Sequence, residues 1–145
     1  MAQEIWWTAP AEAPDGEVVM VTGRDNIDKF RDSGKYNDRI EVTWPYEGGG
    51  MPNEETASLM EQADDALRAE LKKEKAVILT GIYTGAGQRN WVFYVKNPRI
   101  FQSLLNRAWA ELPLLPVSIS AERDPEWQEY AEMRENTYIA PGDDD

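Results

Sequence analysis

The sequence predicts an α+β domain. Its centre is a ferredoxin-like β-α-β-β-α-β antiparallel sheet core, with an added N-terminal β-hairpin and a C-terminal helix. Three observations carry this expectation. Ile40, Val42 and Trp44 alternate with Glu41, Thr43 and Pro45, the period of a half-buried strand. Two segments, around Leu59–Leu71 and Ile100–Leu112, repeat apolar residues at helical spacing. Between them, two β-rich runs flank Thr84-Gly85-Ala86-Gly87, the pattern of a hairpin.

Taken in order, Glu4–Thr8 and Glu17–Thr22 are rich in Trp, Ile and Val and read as two strands joined by a wide Pro/Ala/Asp-Gly connection. Ile27 and Phe30 suggest a short helix or turn, broken at Ser33-Gly34. Arg39–Tyr46 is the alternating strand. Glu47–Pro52 is a glycine-rich connector. Asn53 reads as the N-cap of a helix that carries Glu54 and Glu55 at its positive end and Lys72, Lys73 and Lys75 near its negative end.

Ala76–Tyr83 and Asn90–Val95 form the hairpin. Asn97-Pro98 pairs a capping side chain with proline at the first helical position. Val117–Glu122 alternates again and reads as a half-buried strand. Asp124-Pro125 repeats the cap-plus-proline signal. Trp127 and Tyr130 then share one face of the last helix, and Glu126, Glu129 and Glu132 another. Residues 1–141 form a single α+β domain with its core at about 39–122, and 142–145 form a disordered acidic tail. A chain of this size buries about 68% of its unfolded surface, enough for a core without staples.

The missing residue types exclude much chemistry. The 145 residues contain no cysteine and no histidine. Thiol nucleophiles, disulfides, imidazole general bases and zinc sites of the usual kind are therefore absent. No cofactor and no metal site is implied.

Fifteen Lys+Arg against 27 Asp+Glu give a net charge of −12. The sequence shows no basic cluster suited to anions, so neither a phosphate backbone nor an anionic membrane is an expected partner. The N-terminal residues lack a basic region followed by a long apolar run, which points to a cytoplasmic protein. Adjacent carboxylates such as Asp64/Asp65 diverge on a helix and make no catalytic pair.

Thr84-Gly85-Ala86-Gly87-Gln88-Arg89-Asn90-Trp91-Val92-Phe93-Tyr94, followed some thirty residues on by Asp124-Pro125-Glu126-Trp127-Gln128-Glu129-Tyr130, resembles the bacterial family called domain of unknown function 695. The family pattern is T-G-x-G-x-R-x-W-x-F-Y, then a helix, then D-P-E-W-x-x-Y. The resemblance covers roughly the C-terminal half by motif and the N-terminal half by element order. This region is also similar, more distantly, to the B-type regulator of ribonuclease E activity, a small acidic protein. That similarity implies protein binding rather than catalysis.

Two groups of residues are candidates. Glu126, Glu129 and Glu132, with Trp127, Tyr130 and Trp7, form a candidate partner-binding surface for a basic protein. Trp7 enters because two adjacent tryptophans in a strand face opposite sides, and one of them is available for contact or for cover by the last helix. Arg89, Asp124 and Trp91 form a candidate ligand or ion-pair site, with Arg89 receiving an anion or pairing with Asp124 or Glu126. The expected function is a non-catalytic interaction or regulatory module. The alternatives are a small-molecule-binding or hydrolytic domain with an Arg/carboxylate/aromatic pocket, and a self-associating structural domain, monomer or homodimer.

Overall fold

The structure is a computed structural model that describes residues 5–138. The expected tail at 142–145 lies outside the described residues. In chain order the elements are β1 (Ile5–Glu12), β2 (Val18–Asp25), α1 (Asp28–Asp32), β3 (Asp38–Pro45), α2 (Glu54–Leu71), β4 (Val77–Gly85), β5 (Gln88–Val95), α3 (Pro98–Ala108), β6 (Ser118–Arg123) and α4 (Gln128–Thr137).

All six strands form one open antiparallel sheet in the order β1-β2-β4-β5-β3-β6. The N-terminal hairpin is therefore not a separate addition. It continues the sheet through β2, whose Val19 and Gly23 lie opposite Gly85 and Gly81 of β4. Pro10, which cannot donate to a ladder, is tolerated because β1 is an edge strand. The β4–β5 hairpin turns at Ala86 (φ 53°) and Gly87 (φ 84°). Positive φ at both central residues suits the twist of a two-residue hairpin.

Strand alternation divides the side chains between two cores. On one face Ile40, Val42, Trp44, Leu79, Trp91, Phe93 and Val95 pack under α2 and α3, whose Met60, Ala63, Leu67, Phe101 and Leu104 interlock with them. On the other face Trp7, Ala9, Val21, Ile78 and Tyr94 pack with Ile27, Tyr36, Trp127, Tyr130 and Met133. Each fully buried side chain of this size contributes about 1.5–3 kcal/mol by leaving water. The two-core arrangement is why one short chain accommodates so many aromatic residues.

The helix starts follow their local chemistry. Asn53 Oδ1 accepts from the Thr56 amide at 2.8 Å, and Asn97 Oδ1 accepts from the Arg99 amide at 2.8 Å with Pro98 in the first turn.

The last helix differs from expectation. It begins at Gln128, after a turn that ends with Trp127 in the left-handed region (φ 57°). Asp124 is four residues before the first helical residue, not the N-cap. Its carboxylate still reaches the helix, accepting from the Gln128 amide at 2.9 Å and the Glu129 amide at 3.0 Å. The turn swings Trp127 inward, where its indole N–H donates to the Tyr36 carbonyl at 2.8 Å.

β6 is the second departure. All six residues are exposed, including Ile119, although the alternation suggests a half-buried strand. It is the outermost strand beyond β3, past the reach of the helical layers on both faces. Pattern alone does not reveal that position.

Candidate functional site

Side chains that sequence analysis treats as one constellation are separated by the sheet. Arg89 and Trp91 share the alternation of Phe93 and face the α2/α3 side. Tyr94, one residue out of phase, faces α4 and binds Asp124. The Arg89–Asp124 pairing is therefore a correction, because an ordered sheet lies between the two groups. Arg89 Nε donates to Thr84 Oγ1 at 2.9 Å, and its guanidinium lies 5.8 Å from the Trp91 ring centroid. Burial lowers its pKa, and Asp64 opposes that shift. Trp91 is fully buried and donates to Asp64 Oδ1 at 3.1 Å. It is core rather than ligand wall.

Three of the expected contact residues are likewise interior. Trp7, Trp127 and Tyr130 belong to the α4-side core, at 4%, 1% and 4% exposure. Trp7 lies flat over Gly23, its cross-strand neighbour, and its indole N–H donates to Thr137 Oγ1 at 2.9 Å. Tyr94 and Trp127 stack with ring centroids 4.3 Å apart. These rings hold α4 on the sheet and present no surface to a partner.

The carboxylates behave differently. Glu126, Glu129 and Glu132 are all exposed. Glu129 and Glu132, one helical turn apart, line a groove of about 710 Å³ between α4 and the sheet. Glu126 sits in the preceding turn and does not line it. Glu12 enters the groove from the end of β1 and Asp15 from the β1–β2 connection, and Glu41 lines it from β3. Five carboxylates thus line a groove whose lining holds one cation, Arg39.

The groove floor is polar and ordered. Asn90 Nδ2 donates to Glu41 Oε2 and to Thr43 Oγ1, both at 2.9 Å, and Gln88 Nε2 donates to Asn90 Oδ1 at 3.0 Å. Arg39 Nη1 lies 3.4 Å from Glu122 and 3.7 Å from Glu41. Tyr83 forms the aromatic part of the lining, and burial pushes its pKa up to about 12, so it stays a neutral hydroxyl at neutral pH. Sequence analysis missed Glu12, Asp15, Glu41, Asn90 and Tyr83 here. They lie on four strands and connections, and only strand pairing makes them neighbours.

The groove contains no nucleophile paired with a base. Among the described residues, no group of three or more carboxylates is disposed to hold a metal ion. No described helix is long and apolar enough to cross a membrane.

One expectation about charge is overturned. The sequence predicts no basic cluster, yet Arg24, Lys29, Arg68, Lys72, Lys75 and Lys96 line a single pocket at the opposite end of the strands. They come from β2, α1, α2 with its C-terminal extension, and the end of β5. A reading along the chain averages such a cluster away.

The arrangement defines an α+β domain with a six-stranded antiparallel sheet, helices on both faces, and opposite charge at the two ends of the strands. The chain belongs to the family described as "Family of unknown function (DUF695)", whose model matches residues 7–133. No curated protein and no solved structure matches it significantly.

Proposed function

We propose that this chain is a non-catalytic interaction or regulatory module that binds a basic segment of a partner protein in the α4 groove. The observation that carries the reading is the convergence of Glu12, Asp15, Glu41, Glu129 and Glu132 on one groove. A Lys- or Arg-bearing segment entering it meets carboxylates from both walls and the floor. Such charges chiefly raise the association rate and select the partner, so binding weakens as salt rises. The net charge of −12 adds long-range attraction for a basic protein.

Within the sheet, β4-β5-β3-β6 with α2 and α3 reads as the ferredoxin-like unit, and β2 and β1 extend it. A distant relation to the B-type regulator of ribonuclease E activity, proposed from the sequence alone, would accord with protein binding by analogy. A cytoplasmic setting accords with the same reading.

The test is affinity capture of the tagged protein from its native lysate at low and at high salt, with mass spectrometry of what remains bound. A basic protein is retained at low salt and released at high salt. Glu129→Gln/Glu132→Gln abolishes retention, whereas Glu126→Gln, outside the groove, leaves it unchanged. Retention that ignores both salt and the paired substitution would falsify this function.

A further inference from the structure

We propose that the pocket at the opposite end of the sheet binds a nucleotide, a small phosphorylated ligand with a flat ring. This goes beyond the protein-binding reading and uses none of its residues. The pocket has a volume of about 830 Å³, within the range of small-molecule sites. It lies between the C-terminal end of α2, the α1 segment and the first residues of β4.

Its charge runs against that of the whole chain. Six cations line it, Arg24, Lys29, Arg68, Lys72, Lys75 and Lys96, against two carboxylates, Asp65 and Glu74. Lys72 and Lys75 have a local reason to be there, since cations suit the negative end of a helix. That reason does not extend to Arg24, Lys29 and Lys96, which arrive from three other segments. Arg68 is shared with Asp64 at 2.8 Å. Lys29, Lys72, Lys75 and Lys96 make no ion pair within 4.0 Å among the described residues, and the two carboxylates of the lining balance only part of the six cations. Such a concentration is costly alone and is relieved by an anion.

The second, independent observation is aromatic. Trp6 and Phe30, both partly buried, line the same pocket, and the core residue Tyr36 backs Phe30 edge-on with ring centroids 5.6 Å apart. Lys29 Nζ lies 5.0 Å from the Phe30 centroid, Arg68 4.8 Å from Trp6, and Lys96 5.2 Å from Tyr36. Cations and aromatic rings are therefore in contact in the wall of one cavity. Such an arrangement receives a ring by stacking and its phosphates by charge-assisted hydrogen bonds. A long nucleic acid extends beyond the pocket along a chain of net charge −12, whereas a nucleotide remains inside the positive region. That contrast selects the small ligand.

The experiment is calorimetric titration of the full chain, at fixed ionic strength and without magnesium, with adenosine, AMP, ADP, ATP, tripolyphosphate and a single-stranded oligonucleotide. Affinity rises about tenfold or more from AMP to ATP as charge-assisted contacts are added. Adenosine binds far more weakly than AMP, and tripolyphosphate about tenfold more weakly than ATP because it cannot stack. Lys72→Glu/Lys96→Glu, at two exposed positions, weakens ATP about tenfold or more with an unchanged circular dichroism spectrum. A second variant, Phe30→Leu, keeps the packing and removes the gain of ATP over tripolyphosphate.

Absence of ATP binding, ATP affinity indifferent to the paired lysine substitution, or adenosine equal to ATP overturns the proposal. Tripolyphosphate equal to ATP overturns it too, since no ring is then recognised. An oligonucleotide bound more tightly than ATP reassigns the pocket to nucleic acid.

Discussion

The Tyr94 hydroxyl donates to Asp124 Oδ2 at 2.7 Å and accepts from the Tyr130 amide at 3.2 Å. One phenol near the end of β5 thus joins the sheet to the first turn of α4. Asp124 completes the link through the Gln128 and Glu129 amides. Tyr94→Phe leaves a buried amide and a carboxylate oxygen short of partners and costs about 1–3 kcal/mol. Asp124→Ala also removes the acceptor of the Gln128 and Glu129 amides and costs about 2–4 kcal/mol. Urea denaturation measures both, and a change below about 0.5 kcal/mol for either substitution refutes the link.

Acid weakens the same joint. Burial opposes ionisation of Asp124, but the Tyr94 hydroxyl and the Glu129 and Gln128 amides outweigh it and hold its pKa below the usual 3.8. Asp25 is likewise opposed by burial yet held low by Arg134, whose Nη2 lies 2.9 Å away. A carboxylate with a depressed folded pKa contributes stability that is present above its unfolded pKa and lost as pH falls through the folded one. Thermal stability therefore drops as pH falls below about 4, and Asp124→Asn flattens that limb. An acid limb equally steep in Asp124→Asn would remove Asp124 from the account.

Alkali acts on the tyrosines with the opposite sense. Burial pushes Tyr83 and Tyr130 up to about 12 from 10.0, and Tyr94 higher still. A raised folded pKa contributes stability that is full below the unfolded value and lost as pH rises towards the folded one. The chain loses stability between about pH 10 and 12, and ultraviolet titration shows these phenols ionising only as it unfolds. Free titration of all the tyrosines near pH 10 in the folded chain contradicts this.

Gly23 is required by Trp7. A Cβ built on Gly23 would stand 2.2 Å from Trp7 Cζ2, closer than any real contact. Gly23→Ala must displace the indole, break its bond to Thr137 and cost about 1–3 kcal/mol or more. Trp7→Leu/Gly23→Ala, by vacating that space, shows a smaller combined loss than the sum of the singles. Simple additivity in the denaturation cycle counts against the contact.

The two neighbours Val42 and Ile119 respond unequally. They lie opposite each other on β3 and β6, yet Val42 is fully buried and Ile119 is 43% exposed. Val42→Ala costs about 1–3 kcal/mol and Ile119→Thr about 0.5 kcal/mol or less. Equal losses in a melting experiment place a hidden cover over β6.

Legibility varied with the range of the interaction. Asn53 and Asn97 announce their helices because capping involves residues only two or three apart, and both bonds form. The Gly85–Gly87 hairpin is legible for the same reason. Asp124-Pro125 misleads by three residues because Trp127 is drawn into the core and delays the helix. The exposure of β6 was hidden, since its alternation does not say whether a helix covers it.

By itself the sequence determined the α+β class, the order of its main strands and helices, the absence of thiol and imidazole chemistry, and the family, through residues in and around the β4–β5 hairpin and the last helix. All of these depend on residue type or on spacings within one element. Tertiary structure alone decided that Arg89 and Asp124 lie on opposite faces, that Trp7, Trp127 and Tyr130 are interior, and that carboxylates and cations gather at different ends of the strands. Those neighbours are set by pairings between distant strands, such as β2 with β4 and β3 with β5. No local pattern encodes which residues such pairings bring together.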